Sequence, residues 1–422
     1  MFGEYGSKLA KNSILLMFFL LLSAAYLVNA SSIKGVGVHP WDYDTRSWYT
    51  AGTCWLNGDS PYDKALFAQT WDALFEVKLR DQATFVYPPT MAIISVPLAL
   101  MPWSLAPWVY RAVGMLAILG VAGLTWLLMA PRSREENSFV TLGWYIVLCG
   151  SLRPVVQVLV QGQCASIVVF GCLLAWYGWQ KRLLGWFLVG FLLASIKPQI
   201  SLLPLGYILC AGGFRWFAAG VFLSAVFSIV MLTLVPISNL FGYYQESLEG
   251  HLQHQEFNQW QNYCGAPALL GNTPLGKHVM ILGVVVGILA TCWIGWRARQ
   301  TSDDLSRTLR HQQLVWVMAM TLMPIHIYDL VGQVFVTMTL WVIPRWERRV
   351  LAFALIFLGD QSGRIASIVV RLGEGMEPLG NLIHVQGISM AGFLLLGLFF
   401  YWYWSDFLRS KNSIYVSRPT SG

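Results

Sequence analysis

The residues best suited to chemistry are carboxylates and cations standing where long apolar runs end. His39-Pro-Trp-Asp-Tyr-Asp44 opens a stretch crowded with aromatic side chains. A carboxylate there can act as a general base, taking a proton from a hydroxyl. It can equally be a helix N-cap, where Asp is favoured, and Asp44 stands at the start of a helical pattern. Asp42 is its neighbouring competitor. Further on, Arg111, Arg153, Gln161, Gln163, Lys197, His326, Tyr328 and Asp329 fall at the outer ends of apolar runs. Ionisable groups at membrane depth are costly, so each is a functional candidate. The plain alternative for any one of them is snorkelling or an internal ion pair. Lys197-Pro198 breaks an apolar hairpin, which aims a cation at a cavity. His326 follows Pro324 and has Tyr328 and Asp329 beside it.

Metal chemistry has little support. Glu246, Glu249, His251, His254 and Glu256 share one loop, and His251 with His254 fit one helical face. A solvated loop helix explains them better, so no metal site is expected. Asp42-Tyr-Asp44 has the spacing of a nucleotide-sugar dyad, but it falls on the outer side, where nucleotide sugars are not supplied.

These groups need a scaffold, and composition says which kind. The chain has 422 residues, 56% hydrophobic and only 12% charged. Soluble domains carry about 25% charged residues. So much apolar surface requires lipid as the solvent over much of the protein. The net charge of +7 is not a nucleic-acid footprint, because the basic residues form short clusters between apolar runs. The 20 Trp and 17 Tyr suit the headgroup level of a bilayer.

The first apolar run, Ser13–Leu27, follows Lys8 and Lys11 and reads as an uncleaved anchor with the N-terminus inside. Residues 31–104 then lie outside. Tyr87–Pro102 is too short and too rich in proline to cross, and is expected to lie in the outer interface. Further spans are expected at Ala106–Ala130, 138–152, 163–179, 183–196, 200–212, 216–235, 278–296, 313–326, 328–344, 350–368 and 389–405. The total is about twelve, an even number that puts both termini in the cytoplasm and the basic clusters inside. The short spans on either side of Ile196-Lys-Pro-Gln199 read as broken helices lining a cavity. No soluble domain or repeat is visible, so residues 1–422 are read as one all-α membrane-embedded domain.

Two outside loops are long, 31–104 and about 236–277, and their aromatic content argues against disorder. In the first, Trp48, Ala51 and Trp55 recur at helical spacing, as do Phe67, Trp71, Leu74 and Phe75. Both stretches predict juxtamembrane helices with the apolar side down. Asn57-Gly-Asp-Ser-Pro-Tyr62 between them is a turn signal. Cys54 and Cys264 fall in the two outside loops, so a disulfide between them is open.

The order of motifs resembles glycosyltransferase family 87. The matching runs are Asp44-x-x-x-Trp48-Tyr49-x-Ala51-Gly52, Gly58-x-x-Pro61-Tyr62 and Phe85-Val-Tyr-Pro-Pro89, then Gly162-Gln163 and Lys197-Pro198. Met323-Pro-Ile-His326 with Tyr328-Asp329 is similar to the family's Ser-Pro-x-x-x-His region, departing from it at Met323. The likeness covers roughly residues 40–345. It implies a GT-C fold and a bacterial inner-membrane enzyme with a periplasmic site. It further implies a polyprenyl-phosphate sugar donor, a glycolipid or glycan acceptor, and no cofactor, nucleotide fold or strong metal site. The family's catalytic Asp falls on Asp44. Lys197, His326 and Arg153 are the expected phosphate-binding cations, with Asp42, Tyr87, Gln163, Tyr328 and Asp329 around the substrate. The rival readings are a lipid-linked oligosaccharide polymerase or ligase, and a transporter. No clear arginine pair in 236–277 speaks for the first, and no partner for the Lys197-Pro198 break speaks for the second.

Overall fold

A computed structural model describes residues 43–75, 85–129, 152–234, 263–264, 274–300, 305–340, 346–360 and 376–416, with 362 and 369 alone. Among these residues the regular structure is helical except for one minimal ladder. The Ser13–Leu27 run, most of 138–152 and the loop 246–256 lie outside them, as does Asp42.

Two helices fall within the stretch expected as the first outside loop. Helix α1 spans Tyr43–Asn57 and α2 spans Lys64–Leu74. Trp48, Ala51 and Trp55 on α1 are buried, as are Phe67 and Trp71 on α2. The two apolar stripes read from the sequence are therefore buried within the protein itself, where the sequence had them facing the bilayer. Asp63, not singled out beforehand, caps α2 by accepting from the N–H groups of Ala65 and Leu66. The N-cap alternative for Asp44 fails: α1 starts at Tyr43, so Asp44 lies within its first turn.

Residues 89–91 make a 3₁₀ turn, and Ala92–Ala99 form α3, interrupted by Pro97. Proline inside the run keeps this helix short. It packs across α1 at a point of unusual closeness. A Cβ at Gly52 would lie 2.0 Å from the Ser95 carbonyl oxygen, so only glycine fits. The Tyr49 hydroxyl donates to the Met101 carbonyl at 2.7 Å, and Tyr62 donates to the Tyr87 carbonyl at 2.8 Å. Arg46 lies over the rings of Phe75 and Trp103 at 5.2 and 5.5 Å. Cation and aromatic faces attract one another in this geometry.

The remaining helices are α4 Ala106–Met129, α5 Arg153–Gln161, α6 Ala165–Gln180, α7 Leu184–Ala194, α8 Pro198–Cys210 and α9 Phe214–Thr233. Then come α10 Pro274–Gln300, α11 Leu305–Leu322, α12 Gln333–Thr339, α13 Trp346–Asp360 and α14 Glu377–Val416. Among the described residues, four helical stretches are long and apolar enough to cross a bilayer: Ala106–Met129, Phe214–Thr233, His278–Gln300 and Gly387–Ser405. They fall on four of the expected spans. Helix α9 buries little beyond Gly220 and Met231 and leaves Phe222 70% exposed. Faces of this kind fit lipid, not water.

Helices α7 and α8 are shorter than a bilayer crossing, in keeping with the expected broken pair around Lys197, whereas α6, expected as a span at 163–179, is also short of one. The expected span 328–344 is not one helix. Residues Ile327–Gly332 form a 3₁₀ helix, and α12 is a separate seven-residue helix. Trp316 crowds Gly332, and Asp329 bonds back onto the chain at His326. Together they stop the run from continuing as a plain span.

The ladder is β1 (Tyr263–Cys264) antiparallel to β2 (Ile325–His326), pairing Tyr263 with His326 and Cys264 with Ile325. It ties the second expected outside loop to the segment that carries His326. Cys54 is a free, buried thiol whose Sγ donates to Thr70 Oγ1 at 3.6 Å, so the disulfide with Cys264 is not formed.

Replacing Gly52 by Val should lower the melting temperature of the detergent-purified protein, since backbone must move; overpacking costs about 1–3 kcal/mol. A variant that melts like the parent would contradict the tight crossing of α1 and α3.

Candidate functional site

The site begins with the turn after α5. Gly162 takes a left-handed conformation with φ 67°, and the Gln163 N–H returns to the Val158 carbonyl at 2.9 Å. This is the usual way for a helix to end on glycine. A Cβ at Gly162 would lie 2.2 Å from Thr45 Oγ1 and 3.9 Å from the Tyr110 ring. The first turn of α1 therefore rests directly on the Gly162 turn. That contact brings Asp44 to Gln163, whose Nε2 donates to Asp44 Oδ2.

The second half of the site is the break between α7 and α8. Lys197 precedes Pro198 at the first position of α8, where proline is well accommodated. Thr90 Oγ1 donates to the Ser195 carbonyl at 3.2 Å, fixing this turn to the 87–91 segment. Lys197 is buried, and its Nζ donates to Asp329 Oδ1 at 2.5 Å. The other oxygen of Asp329 accepts the His326 N–H at 3.2 Å. In return the His326 side chain accepts from the Asp329 N–H, a reciprocal cap that starts the 3₁₀ helix. One carboxylate thus holds both Lys197 and the His326 turn.

The two halves meet electrostatically at Asp44. Asp44 sits on α1, outside the spanning helices, and is partly exposed. Its pKa is nonetheless raised from 3.8 to about 6. Protein packed round the carboxylate is the largest cause; Lys197 and the Gln163 amide oppose it, and Asp329 adds to it. A carboxylate held near 6 is ionised at neutral pH yet basic enough to accept a proton.

Aromatic rings close one side. Trp48 lies edge-on to Tyr87 at 5.9 Å and to Tyr110 at 4.8 Å. Tyr110 was not singled out in the sequence; its position beside Gly162 follows only from the packing of α4 on α5. Arg153 opens α5, half-buried, and that helix packs on the 3₁₀ segment bearing Asp329. Arg111 donates through Nε to the Leu159 carbonyl at 3.3 Å and covers the Trp108 ring, which ties α4 to α5. Gln161 is exposed at the end of α5. Tyr328 contributes backbone to the 3₁₀ helix; Asp42 lies outside the described residues. No three His, Cys, Asp or Glu side chains among the described residues are grouped to hold a metal.

A family model described as "Glycosyltransferase family 87" matches residues 85–324. That stretch includes Tyr87, Gln163 and Lys197, begins after α1, and ends two residues before His326. A polyprenol-phosphate-mannose-dependent alpha-(1-2)-phosphatidylinositol pentamannoside mannosyltransferase of Mycobacterium tuberculosis is 25% identical over 231 residues. The alignment covers 53% of this chain and 51% of that relative, so it spans about half of each. No solved structure matches.

Removing Lys197 leaves Asp329 buried without its cation, an imbalance that costs about 3–5 kcal/mol. Lys197→Met should therefore melt well below the parent, and Lys197→Met with Asp329→Leu should recover most of the loss. A double variant no better than the single would dismiss the pair as the source of the effect.

Proposed function

We propose that this chain, which belongs to glycosyltransferase family 87, transfers a sugar from a polyprenyl-phosphate donor to a lipid- or glycan-linked acceptor. The observation that carries the reading is Asp44: a partly exposed carboxylate, held by Gln163, with its pKa lifted to about 6. The relative's printed name supports a mannose donor on a polyprenyl phosphate. The long apolar helices support a donor arriving through the bilayer. The site belongs on the periplasmic side of a bacterial inner membrane, in a single membrane-embedded domain spanning 1–422, in line with the expected charge bias of the loops.

The reaction is a single inverting displacement. The acceptor oxygen attacks the anomeric carbon and gives its proton to Asp44. The bond from that carbon to the phosphate oxygen breaks, and its electron pair leaves with the polyprenyl phosphate. Negative charge then grows on the phosphate, and cations offset it. Lys197, His326 and Arg153 are the residues assigned to this task. Lys197 is paired with Asp329, so the phosphate must compete with that carboxylate for the ammonium. His326 is set beside the same pair by its cap. Tyr87 and Gln163 border the acceptor, and no metal or cofactor enters any step.

Purified protein would be incubated with radiolabelled polyprenyl-phosphate mannose and a membrane glycolipid extract. Labelled glycolipid should form, and Asp44→Asn should slow it on the order of 10²–10⁴-fold. Near-normal turnover in Asp44→Asn rejects the base. Because the base works ionised, the rate should fall about tenfold per pH unit below the Asp44 pKa and level off above it. An acidic limb centred near 4 would contradict a carboxylate raised to about 6.

A further inference from the structure

Resting on the transferase reading above, we infer that the free amide oxygen of Gln163 reads a second hydroxyl on the acceptor. The enzyme would then select a sugar bearing a vicinal diol over an isolated alcohol such as a serine side chain.

Chemistry fixes which way the Gln163 amide points. An ionised carboxylate only accepts hydrogen bonds, so the group facing Asp44 must be the NH₂. The structure has Nε2 donating to Asp44 Oδ2. The carbonyl oxygen Oε1 is thereby held on the same planar amide, one short step from the base. It is buried, has no hydrogen-bond partner, and belongs to a side chain only 2% exposed. Leaving such an acceptor unsatisfied costs about 1–3 kcal/mol. The turn at Gly162 prevents relief by backbone movement, because α1 presses on it through Thr45.

Oε1 has no use for a phosphate oxygen, which offers it no proton. It calls for an O–H or N–H donor. Nearby, the buried Tyr110 hydroxyl also has no hydrogen-bond partner, and Trp48 Nε1 is in the same condition. Unspent hydrogen-bonding atoms among aromatic rings suit a ligand with several hydroxyls and apolar C–H faces.

The proton count then narrows the ligand. The attacking hydroxyl has one proton, and Asp44 takes it. The hydroxyl that donates to Gln163 is consequently a different one. The base oxygen and the amide oxygen are joined through one hydrogen bond and one amide group, which sets two acceptors side by side. A vicinal diol engages both at once, whereas serine or threonine fills only the first.

The test uses polyprenyl-phosphate [¹⁴C]mannose as donor and octyl α-mannoside with its singly fluorinated analogues as acceptors or competitors. Fluorine keeps the size of a hydroxyl but cannot donate. One analogue, altered next to the attacking position, should bind about three- to tenfold more weakly to the parent protein, the worth of one neutral hydrogen bond. Gln163→Met should weaken the unmodified mannoside by the same factor and lose the discrimination, with the half-saturating donor concentration unchanged. It should also move the acidic limb of the pH profile upward, since the amide no longer favours the ionised base; a merely structural role would move neither. Three results would overturn the inference: equal discrimination by folded Gln163→Met, equal competition by every analogue on the parent, or glycosylation of a serine peptide as readily as of the mannoside. If Gln163→Met does not fold, the analogue series on the parent decides. An inactive Asp44→Asn beside an unaltered Gln163→Met ends this inference alone, and an active Asp44→Asn ends the base assignment itself.

Discussion

The buried pair of Lys197 and Asp329 governs the layout of the molecule's centre. Both side chains are almost fully buried, and their contact at 2.5 Å joins residues 132 apart in sequence. A buried ion without its partner is expensive, so the two segments that carry them cannot separate cheaply. One segment is the break between α7 and α8, the other the 3₁₀ helix after β2. Their union decides where the His326 turn sits, because Asp329 also holds the His326 N–H. The ladder to Tyr263–Cys264 adds that stretch of chain to the same anchor. The apolar helices supply the shell around it, but they are packed by surface that almost any apolar sequence offers. The pair, in contrast, admits one register.

Much of this was legible, and the reason is local chemistry. Lys197-Pro198 stood out because proline interrupts an apolar run, and Gly162-Gln163 because it matches a family motif; both proved to be the turns that present Lys197 and Gln163. Trp48, Ala51, Trp55, Phe67 and Trp71 were legible because a helix that buries one face repeats its apolar residues every three or four positions. What could not be read was long-range pairing. Nothing in sequence says that Lys197 meets Asp329, that Asp44 meets Gln163, or that Tyr110 lies beside Gly162. The 328–344 run misled because it is mostly apolar, while its geometry is set by Asp329 turning back on His326 and by Trp316 crowding Gly332. The cap alternative for Asp44 failed for a different reason: its residue type suits a cap, but it lies inside the first turn of α1 and its carboxylate is claimed by Gln163 from the turn after α5.

The relation between the two halves of the site follows from charge. Asp44 and Asp329 are both carboxylates, and Lys197 is the cation that acts on each. Since Lys197 already contacts Asp329 directly, it offers Asp44 only a distant pull, and burial prevails in setting the Asp44 pKa. The hydrogen bond from Gln163 is then the one direct stabiliser of ionised Asp44 among the described contacts. The phosphate of the proposed donor adds a further negative group to this neighbourhood. In the proposed reaction the leaving phosphate gains charge as Asp44 loses its own by taking the proton. In a medium of low dielectric these two changes compensate, because charge is moved across the site and not created within it. A base whose pKa is lifted by burial is suited to that exchange: it gives up its charge readily just when the phosphate acquires one. A fully exposed aspartate, with its pKa near the ordinary 3.8, would take the proton less readily at the moment the phosphate gains its charge.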